Sequence, residues 1–124
     1  DAMKLYYARH VCRNKAKSKR RSLIKNLHGN RVYEYMWGAS EFSATGILKN
    51  YDKVSQLEKI GCPTLFICGE HDEARPKTAK QYAKTIPDAD FVEIKNASHA
   101  ILAEKPSKLI KTIRHFVTRI DINK

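Results

Sequence analysis

The sequence has no hydrophobic run long enough to cross a membrane and no cysteine pattern typical of disulfides or metal sites. No apolar stretch in the 124 residues approaches the roughly 20 residues that span a bilayer. The N-terminus also lacks the apolar core of a signal peptide. The three cysteines are odd in number and have no CxxC or metal-ligand spacing. These absences favour a cytoplasmic protein with free thiols at Cys12, Cys62 and Cys68.

Internal repeats and low-complexity linkers are also absent, so nothing in the sequence suggests an array or a string of modules. The length suits one domain, which can bury about two-thirds of the surface that its unfolded chain exposes. Hydrophobic residues make up 42% of the chain and charged residues 30%, a balance typical of globular proteins. We therefore expect a single folded unit.

Positive charge is concentrated near the N-terminus. Residues 1–32 contain ten Lys or Arg and one acid, whereas the other 92 residues contain fourteen Lys or Arg and twelve acids. The run RNKAKSKRR at residues 13–21 fits either a nucleic-acid or localisation patch or a solvated, lysine-rich helix face. No aromatic residue is interleaved in the run, as single-strand binding would prefer. We favour the helix face and expect no nucleic-acid partner.

The first part of the chain has a weak helical pattern, and the second part alternates strands and helices. Residues 3–28 carry a thin apolar stripe that favours one or two helices, and a short helix is expected at residues 33–36. Further on, strands are predicted at residues 64–68 and 91–94, with a helix at 76–86 between them and a last helix beginning near Pro106. This order predicts right-handed βαβ units and a parallel sheet, an α/β fold.

Three adjacent titratable residues, His71, Asp72 and Glu73, follow the first predicted strand. In open parallel sheets the functional residues lie outside the carboxyl ends of the strands. Asp72 is four residues past the end of the first strand and His99 is five past the end of the second, so the two side chains should approach each other. An Asp that orients a His acting as general base is two-thirds of a nucleophilic triad, and the order of acid before histidine is that of α/β-hydrolases.

Three motifs follow one another along the chain: MWGASEF at residues 36–42, PTLFICGEHDE at 63–73 and NASHA at 96–100. In this order and spacing they resemble the C-terminal part of the proline iminopeptidases, an α/β-hydrolase group of serine aminopeptidases. The resemblance extends over nearly the whole chain. It implies the C-terminal part of an α/β-hydrolase fold, with two parallel strands and flanking helices. Residues 1–50 would then be part of a helical cap, and residues 51–124 the βαβα portion of the core.

The same resemblance assigns roles to four residues. It implies that Asp72 is the triad acid, that His99 is the triad base, and that Glu41 and Glu73 hold the free amino terminus of a peptide substrate. An α-ammonium is mostly charged at neutral pH, and enclosing it is costly unless carboxylates pair with it. No role in the family corresponds to His71, which we expect to be exposed.

Each of these residues also has a simpler interpretation. Asp72 alone could cap a loop or a helix, His99 could be an ordinary loop histidine, and Glu41 could be merely solvated. A metal site at residues 71–73 is disfavoured because adjacent side chains cannot easily converge on one ion. We expect no metal and no organic cofactor.

Two departures from the family pattern bear on function. Ala39 replaces the proline that is usual in the cap motif. More seriously, no GxSxG occurs, and the nearest string, GASEF at residues 38–42, lacks the second Gly of the motif. The nucleophile and the oxyanion hole would therefore lie outside this chain, and we expect the chain alone to be inactive.

These observations lead to one main hypothesis and two alternatives. The main hypothesis is the C-terminal part of a serine aminopeptidase-like hydrolase that releases an N-terminal residue, proline above all, from peptides. Its partners would be a peptide and either the missing N-terminal half or a second copy of the chain. The alternatives are a standalone basic module that binds acidic partners, and an α/β-hydrolase that cleaves another ester or amide.

Overall fold

The computed structural model describes residues 2–14 and 30–122. Most of the basic run at residues 13–21, and most of the helical region predicted at residues 3–28, lie outside the described residues. Within the described ranges, no helix is both long enough and apolar enough to cross a membrane.

Two helical segments occupy the described part of the first fifty residues. Helix α1 (Ala2–Tyr6) continues as a π-helical turn (Tyr7–Val11), and the chain becomes extended at Cys12. Helix α2 (Asn30–Trp37) contains the short helix predicted at residues 33–36 and is longer at its N-terminal end. Gly38, the third residue of the MWGASEF motif, follows α2 with a φ of +84°. A Cβ there would lie 2.0 Å from Thr45 Oγ1, so the turn after α2 favours glycine.

The second half contains the predicted strands and helices. Strand β1 (Thr64–Gly69), helix α3 (Pro76–Thr85) and strand β2 (Ala89–Ile94) form one βαβ unit, and the strands pair in parallel from Thr64 opposite Ala89 to Gly69 opposite Ile94. Pro76 lies at the start of α3, where its missing N–H has no helical partner to lose. The predicted α/β order is confirmed, with β2 beginning two residues earlier than predicted.

The last two helices pack against the sheet. A single turn, α4 (Ile101–Glu104), precedes the long helix α5 (Pro106–Ile122). The core contains Ile94, Ala97 and Ile101, with Ile67, Val92 and Leu109 packed around them. On the apolar side of α5, Leu109 contacts this core but Ile113 is 43% exposed. The core is therefore small, and much of the helix face has no cover within the described residues.

Candidate active site

The loop after β1 holds Asp72 through backbone hydrogen bonds. The N–H of Asp72 donates to Gly69 O, and the N–H of Gly69 donates back to Asp72 Oδ2 at 3.2 Å. The N–H of Ala74 donates to Oδ1 at 2.9 Å. The Asp72 side chain is only 4% exposed. These bonds satisfy a carboxylate that would be costly to bury unpaired, and they fix its direction.

The loop after β2 is joined to the loop after β1. The N–H of His71 donates to Ala97 O at 2.9 Å, and the N–H of Asn96 donates to Glu70 Oε2 at 2.9 Å. Asn96 has a positive φ of 56°, which asparagine tolerates better than most residues. A Cβ on Gly69 would lie 2.5 Å from the carbonyl oxygens of Ala97 and Ser98, so glycine allows the two loops to approach this closely.

The two loops bring Asp72 and His99 into contact. His99 Nδ1 lies 3.0 Å from Asp72 Oδ1, a hydrogen-bonding distance, and the His99 side chain is 46% exposed. A proton on Nδ1 that is donated to the carboxylate leaves the Nε2 lone pair free to accept another proton. The arrangement can therefore perform general-base catalysis, although the catalytic roles of both residues stay predictions.

Glu73 lies on the other side of the imidazole. Its Oε1 is 3.9 Å from His99 Nε2, and its side chain is 21% exposed. Asp72, Glu73 and His99 line the same cavity of about 540 Å³, whose remaining walls include Phe66, Tyr82 and Ile101. A cationic group bound in this cavity could pair with the Glu73 carboxylate close to Nε2 of His99.

Glu41 is placed apart from these three residues. It is exposed, in the loop after α2, where Tyr33 Oη accepts the Glu41 N–H at 3.0 Å and lies 3.2 Å from Glu41 Oε2. In residues 2–14 and 30–122, no hydrogen bond or ion pair joins Glu41 to Asp72, Glu73 or His99. His71, for which no role is expected, has a side chain 39% exposed.

Two nucleophilic side chains near the pair, those of Cys68 and Ser98, are not suited to attack. Cys68 lines the cavity but is buried, and burial, with contributions from Asp72 and Glu93, raises the pKa of its thiol to about 11. The thiol therefore stays protonated at neutral pH. Ser98 is completely buried, and its Oγ donates to Glu104 Oε1 at 2.8 Å. In the described ranges, no group of three or more His, Cys, Asp and Glu side chains forms a candidate metal site.

The structure also shows contacts that the sequence analysis missed. The N–H of His99 donates to His10 O at 2.9 Å, and the N–H of Ala100 donates to Val11 O at 2.8 Å. Glu104 accepts hydrogen bonds from Ser98. An acid five residues after a candidate base was visible in the sequence, but nothing in the pattern of either segment indicated that residues 10–14 would pack there.

The fold and the paired loops define a class of protein, the α/β-hydrolases. A solved relative, MGS-MChE2, described as an alpha/beta hydrolase enzyme from a lagoon-sediment metagenome, is 26% identical with a TM-score of 0.56, over 84% of this chain and 41% of that one. The predicted fold class is confirmed: the chain has the fold of the C-terminal part of an α/β-hydrolase. No family model matches the chain.

Among the known proteins of this class, the proline iminopeptidases are especially similar to the chain. The crystal structure of proline iminopeptidase from Mycobacterium smegmatis gives a TM-score of 0.82 and 32% identity, over 95% of this chain and 40% of that one. The proline iminopeptidase of Heyndrickxia coagulans is 38% identical over 89 residues, which are 72% of this chain and 31% of that protein. The chain is thus related to the C-terminal part of the proline iminopeptidases, and it spans between 31% and 40% of the length of these two relatives.

Proposed function

We propose that this chain supplies the acid–base half of the active site of a serine aminopeptidase-like hydrolase. The complete protein would release an N-terminal residue, proline in particular, from peptides. The hydrogen bond of 3.0 Å between His99 Nδ1 and Asp72 Oδ1 is the observation that carries the proposal. The relatives named proline iminopeptidase support the choice of substrate.

In this proposal His99 moves the protons of the reaction. A serine hydroxyl from outside the chain attacks the carbonyl carbon of the first peptide bond, and His99 Nε2 takes its proton. The same proton then passes to the leaving amine as the carbon–nitrogen bond breaks. Asp72 keeps the other ring proton on Nδ1 and stabilises the imidazolium that forms between these steps. Water later attacks the acyl-enzyme with His99 again as the base.

Glu73 and Glu41 select the substrate by its free amino end. Glu73 Oε1 lies 3.9 Å from His99 Nε2, so an ammonium held by this carboxylate would be next to the scissile bond, as an N-terminal residue requires. Glu41 is exposed and would contact the ammonium from the cap, which we assign to residues 1–50. An internal peptide bond offers no cation to either carboxylate and would lose these charge-assisted hydrogen bonds.

We further propose that the 124-residue chain is inactive alone and needs a partner for stability. It has no GxSxG motif, and its two described strands leave a small core. Within residues 2–14 and 30–122, each strand has one unpaired edge and the apolar face of α5 is partly exposed, which favours association with the missing half or with a second copy. Sedimentation equilibrium should show self-association of the isolated chain, and a compact monomer at micromolar concentration would contradict this.

The three cysteines are free, which fits a cytoplasmic location.

A chimaeric enzyme tests the proposed activity. Residues 1–124 would replace the structurally matched part of the Mycobacterium smegmatis proline iminopeptidase, whose remainder contributes the rest of the fold. We expect the chimaera to hydrolyse proline β-naphthylamide and the isolated chain to remain at background. A folded chimaera that cleaves simple acyl esters but not the prolyl amide would favour an α/β-hydrolase with another substrate. Turnover by the isolated chain would show that a nucleophile lies within residues 1–124, and would contradict the proposal.

A further inference from the structure

Glu104, at the end of α4, accepts four hydrogen bonds from two separate parts of the chain. The N–H and the Oγ of Ser98 donate to its carboxylate at 2.7 and 2.8 Å. The N–H of Asn14 donates at 3.3 Å, and the N–H of Arg13 donates to the same oxygen. A carboxylate near the surface rarely needs so many protein donors, because water can solvate it. The arrangement therefore indicates a positional role.

The first pair of donors fixes the residue that precedes the candidate base. Ser98 is completely buried, and both its backbone N–H and its hydroxyl are bound to Glu104. Rotation of the backbone at Ser98 would break both bonds together. The carboxylate of Glu104 therefore fixes the position of the backbone that leads into His99.

The second pair fixes the segment that holds His99 from the other side. Arg13 and Asn14 are the last residues of the described N-terminal range, and residues 10–14 of that range run beside the loop. The carbonyl oxygens of His10 and Val11, at the end of the π-helical turn, accept the N–H groups of His99 and Ala100 at 2.9 and 2.8 Å. The His10 ring also lies within 2.9 Å of His71 O. We call residues 10–14 the clamp, because they bind the backbone of the histidine loop. Glu104 binds residues 13 and 14 and so holds the clamp against this loop.

The chemistry at Glu104 requires an ionised carboxylate. All four groups that point at it are donors, and an ionised carboxylate is an acceptor only. A glutamine of the same size would place an NH₂ group against at least one of these donors. The substitution of Glu104 by glutamine therefore removes accepted hydrogen bonds with little change of volume.

We infer that Glu104 is a positioning residue for His99, which acts through Ser98 and through the clamp formed by residues 10–14. It touches neither the substrate nor the reacting atoms. It holds the backbone of His99 where the ring can keep Nδ1 directed at Asp72 and present Nε2 to the cavity. This inference rests on the proposed role of His99 as the base.

The state of the His99 ring in the isolated chain tests the inference. With ¹⁵N-labelled histidine, two-bond NMR spectra at a pH where the ring is neutral report which ring nitrogen carries the proton. We expect the original chain to show the Nδ1–H form, and Glu104→Gln to shift the two ring signals toward the average of both tautomers. The amide protons of His99 and Ala100 should exchange at least about tenfold faster, because the clamp opens more often.

Three further variants separate positioning from general stability. Glu58→Gln makes the same change on an exposed glutamate of the 3₁₀ turn (Val54–Lys59) and should leave the His99 signals unchanged. Ile86→Val removes one carbon from a buried side chain and should lower Tm without altering the tautomer. Ser98→Ala deletes one donor only, so it should move the ring signals in the same direction as Glu104→Gln but less. It keeps the test informative if Glu104→Gln does not fold.

The possible outcomes distinguish the inference from the proposed function. If Glu104→Gln and Ser98→Ala lower Tm but leave the tautomer and the exchange of His99 as in the original chain, the positioning role is wrong, whatever the chimaera does. If they shift the ring as expected but the chimaera keeps its activity without His99, the proposed catalytic role is wrong and the structural coupling stands. An Ile86→Val variant that shifts the ring equally would also contradict the inference.

Discussion

The loops at the edge of the sheet and the loop of the MWGASEF motif hold their predicted site residues in different ways. At the sheet edge, Asp72 is 4% exposed and accepts two backbone N–H groups besides contacting His99. In the motif loop, Glu41 is exposed and contacts Tyr33. Asp72 is thus buried and hydrogen-bonded to His99 within this chain, whereas the Glu41 carboxylate is exposed to solvent.

The N-terminal helix contacts both regions. The Tyr6 ring packs edge-on against Phe42, next to Glu41, with centroids 5.5 Å apart, and lies 5.1 Å from the His10 ring. The carbonyl oxygen of His10 in turn accepts the N–H of His99. In the proposed reaction this difference is useful: His99, as the base, must be aligned before the substrate arrives, whereas Glu41, as a substrate contact, can adjust to it.

The largest expected effect comes from breaking the rigid pair. In the chimaera, Asp72→Asn should lower kcat by about 10⁴-fold, since an amide NH₂ facing the ring favours the wrong tautomer of His99. Steady-state kinetics on proline β-naphthylamide measures the loss. Asp88→Asn, on an exposed residue between α3 and β2, is the matched control and should have no effect. A loss below about tenfold for Asp72→Asn would mean that the pair is structural.

The carboxylates that we assign to the substrate should show smaller, selective effects. Glu73→Gln and Glu41→Gln in the chimaera should each lower kcat/KM for free-amino substrates. The expected decrease corresponds to a loss of about 2–3 kcal/mol of transition-state stabilisation. Substrates with an acylated amino end should change much less, because they carry no ammonium. Parallel losses on both kinds of substrate would indicate that these two residues support the fold instead.

The close approach of the two loops can be tested in the isolated chain. Gly69→Ala places a methyl group 2.5 Å from two carbonyl oxygens and should destabilise the chain by about 1–3 kcal/mol. Gly61→Ala is a suitable control, because a Cβ there meets nothing within 4 Å. Chemical denaturation of both variants measures the difference. Equal stability of the two would show that the loops are less closely packed than described.

The smallest effect concerns pH. Burial acts to raise the pKa of Glu104, but the hydrogen bonds from Ser98, Arg13 and Asn14 outweigh it and hold that pKa below its ordinary value. A carboxyl with a lowered pKa stabilises the folded state above its unfolded pKa, and this contribution is lost as the pH falls through the folded value. The Tm difference between the original chain and Glu104→Gln should therefore be constant at neutral pH and shrink below about pH 4.3. A difference that stays constant down to about pH 3 would contradict this.

The residues at the sheet edge could be predicted from the sequence because the geometry of a βαβ unit follows from local patterns of apolar residues. The apolar run at residues 64–68 and the helical spacing at 76–86 predict one parallel βαβ unit, and in such a unit the residues after both strands meet at one edge. That is why Asp72 and His99 could be paired from their positions alone. The resemblance to proline iminopeptidases added the proposed roles of Glu41 and Glu73.

The contacts that fix the histidine loop could not be predicted in this way. Glu104 and Arg13 are separated by 91 positions, and no periodicity connects a short turn after β2 with the end of a π-helical segment. Hydrogen bonds from a backbone N–H leave no mark in the sequence, because every residue except proline has one. The helical stripe at residues 3–28 likewise did not predict that the described helix ends at Val11.

Labelling with a serine-reactive fluorophosphonate tests the central claim most directly. The reagent should leave the isolated 124-residue chain unlabelled, and it should label the chimaera on a serine of the Mycobacterium smegmatis part, at a rate that falls strongly in His99→Ala. Mass spectrometry of the digested protein locates the label. A phosphonyl group on any residue of the 124-residue chain, or labelling of the chimaera that is indifferent to His99, would contradict the account.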